Sequence, residues 1–524
     1  MANKQILLIE PGYKNKYPPL GLMKIAQYHG HRGKKDDVVF IKGEDKKVIG
    51  KAWDRIYITT LFSFEWNNIA RSIDFAIEVA NGDSSKIFVG GIAASLMHDR
   101  FVTQNKWAGV RFIKGLLDKA PATSLQLDPF EEELYASDTE GTPIEDLTPD
   151  YSILDQIEYE YPVKDAYFVY ASRGCIRKCH FCGVPKLEGG LRSTYSVTRV
   201  VKEIEELYGP KKDLIFMDNN VVASPDFKSI IAEIKELGFT PGATLKRGNS
   251  TVRRRVDFNQ GVDARILCKD PMFLRELSSI CIKPLRIAFD HLGMKKPYEQ
   301  AIRFSAEHGL TDLSNYMLYN FHDTPADLFK RMRLNVTLNE ELDVRIFSFP
   351  MRYQPTDLPH RTHVGKNWNK HFLRSMQIIL QATHGIVSGS PQFFKVAFGD
   401  TADEYVNLLY RPHHFIFNRS WYEHGDGKSQ LNEYNNQFNK LSEDEKIELT
   451  TYLSSHPPRE IGNKGLEELS SSVKKIVQFY IPLDNDVERS IWDAQKARKK
   501  LISSEQMNVP ADELVEDAGL ELAS

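Results

Sequence analysis

The sequence predicts an α/β chain in three parts: an N-terminal doubly wound domain, an incomplete parallel (β/α)6 barrel, and a helix-rich C-terminal domain. Three observations lead there. Short apolar, β-branched runs alternate with helical patterns in residues 1–120 and again in 166–352, as parallel sheets with crossover helices require. Residues 121–165, rich in Pro, Asp, Glu and Thr, separate the two series and read as a linker. In residues 353–524 the strand pattern gives way to longer helical stripes. A length of 524 residues suits several domains, and 41% hydrophobic with 27% charged residues excludes a disordered, collagen-like or coiled-coil chain.

The strands of the first series are Ile6-Leu7-Leu8-Ile9, Val38-Val39-Phe40-Ile41, Ile56-Tyr57-Ile58-Thr59 and Ile87-Phe88-Val89. Each is short and apolar on both faces, as a buried parallel strand is. Residues 69–80 carry a helical pattern between the third and fourth. Gly90-Gly91 closes the fourth strand, where a missing Cβ lets a ligand or a helix approach the backbone. The second series has six strands: Ala166-Tyr167-Phe168-Val169-Tyr170, Leu214-Ile215-Phe216-Met217, a run within 256–262, Leu285-Arg286-Ile287-Ala288-Phe289, Tyr316-Met317-Leu318-Tyr319 and Val344-Arg345-Ile346-Phe347. Between them, Val200, Val201, Ile204, Leu207 and Tyr208 share a helical face that Gly209-Pro210 ends. Phe227, Ile230, Ile231, Ile234 and Leu237 form a second stripe that stops at Gly238. Six units are two short of the closed eight-fold barrel, and ligands in such folds sit at the carboxyl ends of the strands. In the third part, residues 373–382 and 441–453 are helical. The acidic end, 512–524, is expected to fray.

With 68 basic and 71 acidic residues the net charge is -3, so no whole-chain field indicates nucleic acid or an anionic membrane. No apolar run reaches the ~18 residues of a membrane span, and the N-terminus lacks the pattern of a signal peptide. Five cysteines cannot form a disulfide scaffold in a chain this long. Three of them, Cys175, Cys179 and Cys182, fall together just after the first barrel strand, between Gly174 and Gly183. A clustered trio in a reducing compartment reads as a metal or redox site, and the expected location is cytoplasmic.

Iron–sulfur cubes are usually held by four thiolates, one per iron; three ligands on one loop leave one iron open to a small chelating molecule. Zinc is the bland alternative, with His180 beside the trio, but no second ligand pair follows at zinc-finger spacing. The segment Arg173-Gly174-Cys175-Ile176-Arg177-Lys178-Cys179-His180-Phe181-Cys182 resembles the cluster loop of the radical S-adenosylmethionine (radical SAM) enzymes, including the aromatic residue before the third cysteine. The resemblance implies a [4Fe-4S] cluster on Cys175, Cys179 and Cys182, with S-adenosyl-L-methionine on the open iron and Phe181 near the adenine. It also implies a TIM-like radical SAM barrel, sensitivity to oxygen, and a low-potential electron donor such as flavodoxin or ferredoxin.

The strand ends extend the resemblance. Asp218, Asn219 and Asn220 follow the second strand as the family's polar motif for the methionine amino group does. Gln260, Asp263 and Arg265 follow the third, similar to family segments near the ribose and carboxylate; an arginine forks well onto a carboxylate. Asp290 ends the fourth strand, and Tyr319, Asn320 and Asp323 follow the fifth, where the family places adenine contacts. Any one of these is also a common helix cap.

Glu10-Pro11-Gly12, Tyr17-Pro18-Pro19-Leu20-Gly21-Leu22 and Gly90-Gly91-Ile92-Ala93 resemble the Rossmann-like cobalamin-binding domain that precedes the barrel in one branch of the family. The Asp-x-His-x-x-Gly motif that supplies a cobalt ligand is absent there, and His29 and His31 read as solvated turn residues, so cobalamin is left open. Cys268 and Cys281 read as buried inert thiols. His360, His363, His413 and His414 read as surface or packing residues. The basic loop Lys246-Arg247-Gly248 with Arg253-Arg254-Arg255 lacks the aromatics of a nucleic-acid groove. The expected function is reductive cleavage of S-adenosylmethionine followed by methylation, cyclisation or rearrangement of an unidentified substrate. A non-catalytic iron–sulfur relay or sensor is the alternative.

Overall fold

The structure is a computed structural model that describes residues 3–118, 143–193 and 196–505. Residues 119–142, all but the first two of them in the expected linker, and the acidic end lie outside the described residues.

The N-terminal sheet contains β1 (Gln5–Glu10), β2 (Asp37–Lys42), β3 (Arg55–Thr60), β4 (Ile87–Gly91) and the short β5 (Arg111–Phe112). All pairs are parallel, in the order β2-β1-β3-β4-β5. Helices Leu20–His29 and Trp66–Val79 return the chain over its two faces, as a doubly wound sheet requires. Gly91 has φ +106°, and a Cβ there would lie 2.4 Å from the Thr60 carbonyl oxygen. The neighbouring strand's backbone, together with the helix Ile92–Leu96 that starts beside it, is therefore what this glycine admits.

The barrel strands are β6 (Ala166–Val169), β9 (Asp213–Phe216), β12 (Arg255–Phe258), β13 (Leu285–Arg286), β14 (Asp312–Tyr319) and β15 (Arg345–Arg352). They run parallel in chain order; single bridges at Val256–Ile282 and Val262–Ile287 join the two three-stranded halves. β7 (Ser172–Arg173) pairs antiparallel with β8 (Arg192–Ser193). The basic loop is a separate hairpin, β10 (Thr244–Arg247) with β11 (Ser250–Arg253), turning at Gly248. Compared with the sequence expectation, β14 and β15 are longer and β13 is shorter.

Residues 143–165, read from their composition as a connector, pack as a seam. An open barrel leaves the outer edge of its first strand unpaired, and buried backbone groups need partners. Tyr151 supplies them: its hydroxyl donates to the Ala166 carbonyl (2.9 Å) and accepts from the Phe168 N–H (3.2 Å). From the N-terminal domain, Tyr17 packs edge-on against Phe168 and donates to Asn259 Oδ1 at 2.6 Å, near the buried bidentate pair Arg286–Asp257. One apolar core accordingly runs from Ile6 through the barrel to helices Lys370–Ala382 and Ala402–Tyr410. A second core fills the far side of the N-terminal sheet, and a third holds residues 415–480 together. The C-terminal part thus divides in two, its first half packed on helix Pro325–Leu342.

Four buried charges cross the seam. Lys24, on helix Leu20–His29, pairs with Glu145 at 3.1 Å; Arg173 also pairs with Glu145, and with Glu188 at 3.3 Å. The Arg173 guanidinium lies 3.5 Å from the Tyr170 ring centroid. Burial opposes ionisation of Glu145, but Lys24 and Arg173 hold its carboxyl down at about 2. A depressed carboxyl contributes stability that is complete above its unfolded value near 4.5 and is lost as pH falls toward 2. Glu145→Gln leaves two buried cations short of a partner and is expected to cost about 3–5 kcal/mol. A fall in the thermal midpoint at pH 7, larger than that at pH 3, checks this.

Candidate functional site

The three cysteines lie on the loop that β7 and β8 close. Gly174 starts it with φ +77°, and a Cβ there would come within 2.2 Å of the Gly190 carbonyl oxygen, so no other residue fits. The Cys175 N–H donates to the Gly189 carbonyl at 3.3 Å, joining the two ends. Glu188 fastens the base: its carboxylate accepts from the Gly174 N–H (2.8 Å), Asn219 Nδ2 (3.0 Å) and Arg173. Within the loop, Cys182 N–H donates to the Cys179 carbonyl at 3.0 Å.

The sulfurs are part-buried and partly solvated by backbone. The Arg177 N–H points at Cys175 Sγ and the Val184 N–H at Cys182 Sγ, both at 3.4 Å. N–H donors to sulfur stabilise the thiolate form and tune a cluster's potential. Burial pushes the Cys179 thiol up, with Asp290 and Cys175 adding to the effect and Arg265 opposing it. Burial likewise raises Cys182. A metal must therefore displace protons to bind here. Among the described residues no three His, Cys, Asp or Glu side chains converge on the position of a single ion; in an iron–sulfur cube each thiolate meets its own iron. The donor set, three thiols of which two have N–H support and none is in a disulfide, fits a cube with one iron left open.

The strand-end residues divide by what their side chains already hold. Asp218, behind β9, is buried. It accepts from the Ala171 N–H (3.0 Å), the Ser172 N–H and the Ser172 hydroxyl (2.7 Å), fixing the approach to the cysteine loop. Burial lifts its carboxyl to about 6 against those bonds. Asn219 is spent on Glu188, and Asn220, also buried, accepts from the Asp263 N–H at 3.4 Å. Asp263 caps helix Ala264–Leu267 and binds Arg177 Nε (2.7 Å) and Arg265 Nε (2.8 Å), tying the cysteine loop to the third strand end. Arg265 keeps about a third of its side chain exposed. Gln260 is exposed.

Asp290 is held up at about 6 by burial, against the pull of Arg331 and Arg265. The fully buried Arg331 donates to the Phe289 and Asp290 carbonyls and to Asp323 Oδ2 (2.8 Å). Asn320 has φ +67° and no exposure; it bonds Tyr353 and His363 carbonyls and the Gly365 N–H, so it shapes the loop after β15. Tyr319 is buried against Trp368. Phe181 meets Phe321 edge-on at 5.8 Å. Of the predicted set, Gln260 is exposed and Phe181, Asn219 and Arg265 are half-buried, whereas Asp218, Asn220, Asp263, Tyr319 and Asn320 are buried. Sequence reasoning missed Glu188, whose signal was only a carboxylate six residues past the last cysteine.

One histidine reading changes. His29 is buried, not solvated: its ring nitrogens meet Asp36 Oδ2 (2.8 Å) and the Tyr57 hydroxyl (3.0 Å). At the carboxyl ends of β1 and β2, Glu10 pairs with Lys42 at 2.9 Å, and Tyr13, Tyr159 and Tyr161 surround the lysine. No histidine among the described residues there is offered to cobalt. His413, read as a surface or packing residue, is half-buried and stacks at 4.4 Å on His371. Cys268 and Cys281 are half-buried, and burial pushes Cys281 up to about 11.

Fold and site together define a partial parallel barrel with a three-cysteine loop at the carboxyl end of its first strand, preceded by a doubly wound domain. No family model matches the chain. It is 26% identical over 232 residues to a curated protein described as an uncharacterized methyltransferase of Synechocystis sp., covering 43% of this chain and 40% of that one. The chain thus matches well under half of that relative's length. Among solved structures it is similar to the radical S-adenosylmethionine methyltransferase TsrM from Kitasatospora setae with cobalamin and a [4Fe-4S] cluster bound. That alignment has 14% identity and a TM-score of 0.46, covering 68% of this chain and 77% of that one. It is also similar to the cobalamin-dependent S-adenosylmethionine radical enzyme OxsB with aqua-cobalamin and S-adenosylmethionine bound, at 14% identity, 97% and 81% coverage and a TM-score of 0.47.

Glu188→Ala removes the three bonds at the base of the loop. Without that base the loop no longer holds its three thiols in place, and this variant is expected to reconstitute with less iron than wild type while its far-UV circular dichroism stays unchanged.

Proposed function

We propose that this chain is a radical SAM enzyme that modifies a substrate by methyl transfer or a related radical reaction. The observation that carries the reading is the cysteine loop itself: three part-buried thiols, two of them with N–H support, held by buried charges at the ligand-binding end of a six-strand parallel barrel. In this reading Cys175, Cys179 and Cys182 hold a [4Fe-4S] cluster, which when bound supplies the electron that cleaves S-adenosylmethionine. Arg265 offers a fork to the methionine carboxylate once its bonds to Asp263 are shared, and Phe181 offers a ring edge to the adenine. The barrel wall, with its buried Tyr319 and Phe289, excludes water and stray hydrogen donors from the reacting centre. A low-potential flavodoxin or ferredoxin would deliver the electron. Among the described residues at the strand ends of the N-terminal sheet, no histidine is offered to the cobalt of a cobalamin.

Anaerobic reconstitution followed by dithionite and S-adenosylmethionine is expected to give 5′-deoxyadenosine. The Cys175/Cys179/Cys182 triple-Ala variant is expected to give none and to retain no iron. A wild-type cluster that forms yet never cleaves S-adenosylmethionine, with or without added cobalamin, would support the electron-relay reading instead.

A further inference from the structure

A doubly wound sheet admits its cofactor where the strand order reverses, at the carboxyl ends of two neighbouring strands. The order β2-β1-β3-β4-β5 puts that entrance between β1 and β3, and a cobalamin held by this domain would have to use it. The chain's own side chains fill it. Tyr13, which follows β1, is only 3% exposed. Its ring meets Phe62, which follows β3, edge-on at 6.4 Å, and its hydroxyl turns toward the Leu61 backbone.

Behind Tyr13 the buried Glu10 carboxylate accepts from Lys42 Nζ (2.9 Å), Asn15 Nδ2 (2.8 Å) and the Tyr161 hydroxyl. Lys42 also donates to Asn15 Oδ1 at 2.7 Å. Its ammonium lies 4.5 Å from the Tyr159 ring centroid and 5.3 Å from those of Tyr13 and Tyr161. The Tyr159 hydroxyl closes the knot, donating to the Asn15 carbonyl at 2.8 Å and accepting from the Asn15 N–H at 3.3 Å. One cation and one carboxylate cancel, and the aromatic rings further stabilise the cation.

Two glycines that resemble points of ligand approach are spent on backbone as well. A Cβ on Gly12 would lie 3.6 Å from the Gly43 Cα, and one on Gly91 would meet the Thr60 carbonyl. Phe62 and Ile92, 37% and 41% exposed, leave an open rim at these strand ends. A rim encloses nothing, whereas ligand sites bury most of what they hold in about 300–1,000 Å³. To admit a corrin and its nucleotide tail, the entrance must expel Tyr13 and break the Glu10–Lys42 pair, stranding two buried charges.

We propose that this entrance is an internal lock and not a cofactor site: Tyr159 and Tyr161 of the seam are its occupants, and the first domain binds no cobalamin. Any reaction in the barrel then proceeds without a methyl group carried on cobalt. The lock stands on the residues of the first domain and the seam; only its consequence for the barrel rests on the radical SAM reading.

The full chain, incubated anaerobically with hydroxocobalamin and gel-filtered, is expected to carry no more cobalt than a cobalamin-free control. Its melting midpoint is expected not to rise with added hydroxocobalamin, as it would for a ligand of the folded state. Saturable, stoichiometric uptake of cobalt overturns the proposal. The lock itself is read by a double-mutant cycle. Glu10→Gln and Lys42→Met are each expected to lower the midpoint, and the double variant to lose less than the sum, as a coupled pair does. Tyr161→Phe, which removes the seam's bond to Glu10, is expected to lower it too. Midpoints that do not move, or losses that simply add, also overturn the proposal. Neither measurement reads S-adenosylmethionine cleavage, so failure here is distinct from failure to form 5′-deoxyadenosine.

Discussion

The structure turns on Arg173, the residue that opens the Arg-Gly-Cys sequence. Its guanidinium is buried against Tyr170 and shared between Glu145 of the seam and Glu188 at the far end of the cysteine loop. Lys24 of the N-terminal domain joins through Glu145. Two cations and two carboxylates cancel, which is the condition for keeping four charges out of water. One side chain therefore fixes three things: where the loop starts, where it ends, and how the first domain sits on the barrel.

The barrel and its cysteine loop were legible in the sequence because both are written locally. Six apolar runs with helical stripes between them give the strand order directly, and Cys175, Cys179 and Cys182 are neighbours in the chain. The roles of the polar strand-end residues were not legible, since each depends on partners far away in sequence. Asp218 reads as a free acceptor until the Ala171 and Ser172 N–H groups are seen on it, and Asn320 reads as a ligand contact until the loop after β15 closes around it. His29 reads as a turn residue because Gly30 and Gly33 follow it; Asp36 and Tyr57, which meet its ring, lie 7 and 28 residues further along the chain.

Seam residues 143–165 show the same limit from the other side. Their composition is that of a connector, yet Tyr151 supplies the two hydrogen bonds an additional strand would have made to β6, and Glu145 anchors the charge network. Polar composition reports how well a segment tolerates water. It does not report whether an unpaired edge nearby requires that polarity.

Tyr17 carries a consequence for how the chain is put together. The ring that touches Phe168 and the hydroxyl that reaches Asn259 come from the loop after the first strand of the first domain, so part of the barrel's lining is synthesised before any barrel strand exists. The two domains are not beads on a string that recombination can reshuffle. A barrel grafted behind a different leading domain inherits an unfilled lining beside Phe168, and the leading domain in turn loses the surface its first loop was shaped to enter.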